Sequence, residues 1–149
     1  MKGYLKAHRQ YQIPVDPNRI ITYSTAEKFD KPVEEVRKLL SEKENRPTAI
    51  VCYNDELVIQ ILNVIREKDL SVPKDISIIG FDDSHFTEAT EIKFTSMKHP
   101  KMNMGEEAAR IIVNLIENQA DEKVNSVVYE PELILRHSTS RPETDRLKI

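Results

Sequence analysis

The stretch Ala49 to Asp83, AIVCYNDELVIQILNVIREKDLSVPKDISIIGFDD, leaves the chain few ways to fold. Two short apolar runs, AIVCY and ISIIGF, flank one amphipathic segment, which predicts strand, helix, strand in a parallel βαβ unit. Small carboxylate or amide side chains follow each strand: Asn54 and Asp55 the first, Asp82 and Asp83 the second. In an open parallel sheet the carboxyl ends of the strands line the crevice where ligands bind. Asn54 and Asp82 are therefore candidates for a polar small-molecule site.

Composition narrows the function classes. With 149 residues, 39% of them hydrophobic, the chain can build one α/β domain with a real core. A net charge of −3 gives no basic excess to attract nucleic acid. The lone Cys52 sits in an apolar run and has no partner for an internal disulfide, which fits a reducing compartment. No apolar stretch approaches the ~20 residues that span a bilayer, and the opening MKGYLKAHRQ lacks the apolar centre of a signal peptide. The expectation is a soluble, cytoplasmic protein with no membrane partner. Only Gly3, Gly80 and Gly105 occur, so there is no GxGxxG and no Walker loop to cradle phosphates. His8, His85, His99 and His137 show no metal-ligand spacing. Neither a cofactor nor a metal is expected.

Along the chain, Lys2 to Gln12 predicts a helix with Tyr4, Leu5, His8 and Tyr11 on one face, ended by QIPVDPN. RIITY, Arg19 to Tyr23, reads as a short strand. Asp30 is placed to cap a helix with Val33, Val36, Leu39 and Leu40 as its buried stripe and a Glu34 to Lys38 pair outside. FTSMK, Phe94 to Lys98, predicts an extended piece, followed by a helix from Lys101 to Asn118 whose apolar residues cover half its surface. A face that wide wants cover from more than one side. NSVVY, Asn125 to Tyr129, and ELILRH, Glu132 to His137, read as strands, and residues 140–149 as a polar tail.

Asn54 or Asp55 can cap the helix that follows, whatever else the chain does. Leu57, Val58, Ile61, Leu62, Val64 and Ile65 share its broad apolar face, and Ile59 lies outside it, which suggests a partner surface. Asp82 and Asp83 are neighbours at a strand end, so their side chains diverge, poor geometry for the opposed carboxylates of a glycosidase. One facing the crevice and the other bonding the loop is the expected division. A carboxylate beside an amide matches what a polyol needs.

The series PTAIVCYNDELV, VPKDISIIGFDDS, TSMKHP with a helix, and PELILRHST resembles the sensor domain of LacI/GalR-type transcriptional regulators, from Gly3 to about Thr139. Within that family, CYNDE and GFDDSHF followed by KHPK are most similar to arabinose repressors that join such a sensor to a GntR-type winged-helix head. The resemblance implies an α/β, parallel-sheet, periplasmic-binding-protein-like (type I) fold. By the same resemblance, residues 1–98 are C-terminal lobe, 99–130 belong to the N-terminal lobe, and 131–139 are a return strand. It also implies that the head, half of the sensor and a ligand-contacting arginine stand before Met1, so that the chain is a C-terminal piece.

Carried over position by position, Asn54 and Asp82 match residues that bond the effector, and Phe81 and Tyr23 match aromatic faces that pack on it. His99 stands at the lobe crossover, where its other reading is a turn histidine before Pro100. Asp83 and Ser84 read as loop formers. Leu57, Val58, Ile59 and Leu62, with the loop from Ser84 to Lys93, match the region through which family members dimerise. The implied protein is a sugar-responsive homodimeric repressor, with L-arabinose the expected effector and DNA reached only through the head. Two other classes stand beside it. A transport-linked sugar-binding protein is disfavoured by the missing signal peptide and Cys52. An enzyme using Asp82 and Asp83 is disfavoured by the lack of a recognisable nucleophile and base.

Overall fold

The computed structural model describes residues 1–24, 29–117 and 126–141. Within them lie α1 (Lys2–Gln10), a 3-10 turn (Pro17–Arg19), α2 (Asp30–Ser41), β1 (Ala49–Val51), α3 (Asp55–Glu67), β2 (Ser77–Phe81), α4 (Phe86–Ala89), β3 (Thr95–Lys98), α5 (Lys101–Ile116) and β4 (Glu132–Ile134). The sheet runs β1-β2-β3-β4. The first three strands are parallel, as the βαβ pattern predicts, and β4 is antiparallel to β3.

The core lies on one side of this sheet. Ile78 and Gly80 of β2 face α3, which in turn packs on α2, and Leu40, Val58, Ile61, Val64, Ile65, Ile76 and Phe94 are almost completely buried between them. An exposed ion pair from Arg37 to Glu67 ties α2 to α3. On the opposite face Val51 of β1 is 68% exposed and Leu133 of β4 is 45% exposed. Parallel sheets ordinarily carry cover on both faces. Helix α5 has no buried residue at all; Met102, Met104, Ile112, Val113, Leu115 and Ile116 lie open. Its wide apolar face thus goes without the cover that its sequence asks for.

Several local expectations are corrected. RIITY is not a strand: Asp16 accepts the Asn18 N–H and Pro17 starts a 3-10 turn, after which Ile21 and Tyr23 reach the core through side chains without pairing. NSVVY also forms no strand across its described residues, Ser126 to Tyr129, where Val128 is exposed and Tyr129 donates to the Asn103 carbonyl; Asn125 lies outside the described residues. Asp30 is in the first turn of α2 rather than its cap, since Phe29 holds that position without a side-chain bond. Lys38 pairs with Glu35, and Glu34 with Arg37. The helix α5 ends at Ile116, and Asn118 lies outside the described residues.

After β4 the chain crosses the amino ends of β3 and β2. Ser138, fully buried, accepts from the Thr95 N–H and donates to the Ile78 carbonyl, while the Ile78 N–H donates to the Ser138 carbonyl. This stitches the return segment to β2 in the space ahead of the start of β3, so ELILRH is ladder only to Ile134.

Gly80 is dictated by packing. A Cβ there would stand 2.2 Å from Asp55 Oδ1 and within 3.2 Å of Phe94 and Val58 side-chain atoms. Gly80→Ala is expected to destabilise the chain by about 2 kcal/mol through forced overpacking, read as a lower urea midpoint at unchanged slope. An unchanged midpoint would show that this carboxylate does not press against β2.

Candidate functional site

Asn54 ends the loop after β1 in an extended conformation and its Oδ1 accepts the Leu57 N–H at 2.9 Å. It is the cap of α3, one of the two readings its position allowed. Asp55 is not a cap: its side chain turns inward, with the residue only 1% exposed, and is fully used. Its Oδ1 accepts the Ser96 hydroxyl at 2.6 Å and its Oδ2 the Ser84 N–H at 2.7 Å.

Parallel pairing of β1 with β2 brings the loop carrying Asn54 and the loop carrying Asp82 to the same edge of the sheet. Asp82 and Asp83 both take positive φ, 106° and 46°. Such conformations cost a non-glycine residue about 1–3 kcal/mol, so the surroundings must impose them. The two aspartates take different surroundings. Asp83 turns to Arg136, whose Nη1 lies 2.8 Å from its Oδ1 as a charge contact rather than a well-angled hydrogen bond. Asp82 keeps a 44% exposed side chain, with His99 Nε2 3.9 Å from its Oδ1. Lys101 donates to the Asp82 carbonyl at 2.8 Å.

Aromatic groups complete the rim. The Phe81 and His99 rings meet edge-on, their centroids 4.6 Å apart. Tyr23 packs edge-on to Phe29 and partly against the core. Burial holds the Tyr23 phenol above its ordinary pKa, and Tyr53, Cys52 and Glu56 push the same way. Those neighbours place Tyr23 by the carboxyl end of β1. Five sequence-derived candidates, Asn54, Phe81, Asp82, His99 and Tyr23, thus belong to one end of the sheet. Donors, acceptors and aromatic faces at such a rim suit a hydroxylated ligand. Among the described residues no cluster of His, Cys, Asp or Glu could hold a metal.

The proposed dimer residues divide differently. Leu57 and Val58 are buried in the chain's own core, because they face β2 and α2, and they cannot reach a second subunit. Ile59 and Leu62 are half-buried, Leu62 packing on the core edge. Sequence reasoning did not single out Arg136, Ser96 or Ser138. Arg136, in the quoted RHST, offers the only available signal, a charge next to a strand end; nothing marks a buried serine.

The match to the periplasmic binding protein-like domain covers residues 1–139. The chain belongs to that family. Relatives of this periplasmic-binding-protein-like chain include the arabinose metabolism transcriptional repressors of Geobacillus stearothermophilus, 49% identical over 93% of this chain and 38% of that protein, and of Halalkalibacterium halodurans, 43% identical over 98% and 40%. Among solved structures, a LacI-family regulatory protein from Chloroflexus aggregans superposes with a TM-score of 0.81 at 27% identity, covering 93% of this chain and 48% of that one. The cellobiose complex of the regulator CelR gives 0.78 at 30% identity, covering 91% and 40%. The α/β, periplasmic-binding-protein-like fold expected from sequence is the fold found. The chain spans about 40% of the length of the two repressors. No helix among the described residues is long and apolar enough to cross a membrane.

Cys52, 5% exposed, closes the buried side of this rim. Burial, aided by Asp55, pushes its thiol up to about 12. Because the thiolate is the nucleophile, iodoacetamide at about pH 8 should leave Cys52 intact in the folded chain and label it in concentrated urea. Labelling at equal rates in both would contradict the placement.

Proposed function

We propose that the chain is the effector-binding and dimerisation part of a sugar-responsive transcriptional repressor of LacI/GalR type. The observation that carries the reading is the grouping of Asn54 and Asp82 with Phe81, His99 and Tyr23 at the carboxyl edge of a parallel sheet. The relatives named as arabinose metabolism repressors support L-arabinose as the effector. On this reading Asn54 and Asp82 bond sugar hydroxyls and Phe81 and Tyr23 pack on the ring. Capping occupies one acceptor of Asn54 and leaves its amide donors for a hydroxyl.

The expected organisation assigns residues 1–98 to the C-terminal lobe, 99–130 to the N-terminal lobe and 131–139 to a return strand into the C-terminal lobe. Sugar between two lobes favours the closed arrangement, and closure changes how paired DNA-binding heads fit an operator. DNA is reached through a separate head, of GntR winged-helix type by resemblance, in the cytoplasm; Ile59 and Leu62 remain the candidates for the homodimer contact. No bond is made or broken, so the protein is not an enzyme.

Half a clasp binds weakly. Calorimetry with L-arabinose should show little or no heat for this 149-residue chain and clear binding for one extended N-terminally, with Asp82→Ala weakening the extended protein by about tenfold or more, as loss of a charge-assisted hydrogen bond requires. Tight binding by the short chain, or an indifferent Asp82→Ala, would sink the reading.

A further inference from the structure

We propose that Asp55 and Ser96 are positioning residues for Asp82: a buried carboxylate and hydroxyl that lock the turn after β2 so that Asp82 projects into the crevice. The proposal rests on the reading of Asp82 as a ligand-facing tip. Three successive amides of that turn are held. Asp82 N–H donates to the Met97 carbonyl at 2.9 Å, Asp83 N–H to Ser96 Oγ at 3.1 Å, and Ser84 N–H to Asp55 Oδ2 at 2.7 Å.

The links depend on one another. Ser96 spends its proton on Asp55 Oδ1, at 2.6 Å, which orients its oxygen to receive the Asp83 amide. Two donors therefore converge on Asp55 from different elements, and a carboxylate is the side chain that offers two acceptors and no donor. An amide would present a donor to one of them. The absent side chain at Gly80 gives the carboxylate its place, since a Cβ would fall 2.2 Å from Oδ1. From the other side Arg136 draws the Asp83 carboxylate away at 2.8 Å. Consecutive positive φ angles at Asp82 and Asp83 are the conformation this bracing enforces. Asp82 is left with its carboxylate partly exposed beside His99.

The test compares Ser96→Ala and Asp55→Asn with Ser138→Ala, by amide exchange and backbone NMR on the 149-residue chain. Ser138 is the matched control: equally buried, with two hydrogen bonds, and set at the amino ends of the same strands. Ser96→Ala should speed exchange at Asp83 and Ser84 by about tenfold relative to the amides of α3, and shift Asp82 away from positive-φ couplings. Ser138→Ala should lower the denaturation midpoint comparably and leave residues 82–84 unchanged. Asp55→Asn, should Ser96→Ala not fold, must release Ser84 or Asp83 in the same way. Wild-type behaviour at residues 82–84 in both variants, or equal changes in Ser138→Ala, overturns the proposal. An NMR titration with L-arabinose runs alongside. Silence at Asn54 and Asp82 in the N-terminally extended protein counts against the sugar reading, while exchange in the 149-residue chain still decides the positioning role.

Discussion

The Asp55 carboxylate stands where the first turn of α3, strand β2 and strand β3 come together, and each of the three is shaped to suit it. A charged group this deeply buried is tolerable only when hydrogen bonds replace its water. Ser96 and the Ser84 amide supply them. The requirement then spreads outward. β2 must pass close by, so position 80 has no side chain. The residue before Asp55 must cap α3 in its place, so Asn54 sits at the cap and at the rim together. The turn after β2 must bend back to bring Ser84 within reach, and Asp82 and Asp83 carry the positive φ angles of that bend. The close packing of β2 on α3 and the shape of the turn after β2 both meet at this one contact.

Packing is correspondingly one-sided. Everything that Leu40, Val58, Ile61, Ile65, Ile78 and Phe94 bury lies between β2, β3 and the helices α2 and α3. The far face and α5 carry exposed methionine, valine, leucine and isoleucine, a density of apolar surface that marks interaction faces. Among the described residues nothing covers them. The short β1, whose outer edge pairs with nothing among the described residues, belongs to the same unshielded side.

The parts of this architecture that were legible in sequence are those governed by local periodicity. The βαβ unit from Ala49 to Asp83, α2 and α5 announce themselves because burial of one face imposes a repeat on the residues that make it. RIITY and NSVVY have equally good strand composition, yet RIITY and the described Ser126 to Tyr129 form no strand, because a ladder requires a neighbour and composition cannot supply one. At the rim, neighbouring strand ends sufficed to nominate Asn54 and Asp82. Which of Asn54 and Asp55 would cap was undecidable locally, since either side chain can accept an amide; the arrival of Ser96 from 41 residues away settles it. Resemblance points to a partner surface at Leu57 and Val58, whereas their own helical periodicity puts them in the core. Arg136 and Ser138 act only after the chain has crossed and returned, which no local pattern records.

On the proposed function, the gathered rim has a definite limit to what it can do. A ligand shifts an equilibrium only by the difference in its affinity for the two states. On that reading Asn54, Asp82, Phe81 and Tyr23 come from one lobe, so contacts to them alone favour neither the open nor the closed arrangement. They set which hydroxyl pattern is accepted and how the ring is oriented. The switching energy must come from contacts made across the gap, by groups near the crossover such as His99 and by the wall that faces this one. A rigidly braced Asp82 serves that division well: the less this lobe yields to the sugar, the more of the remaining binding energy is expressed as closure.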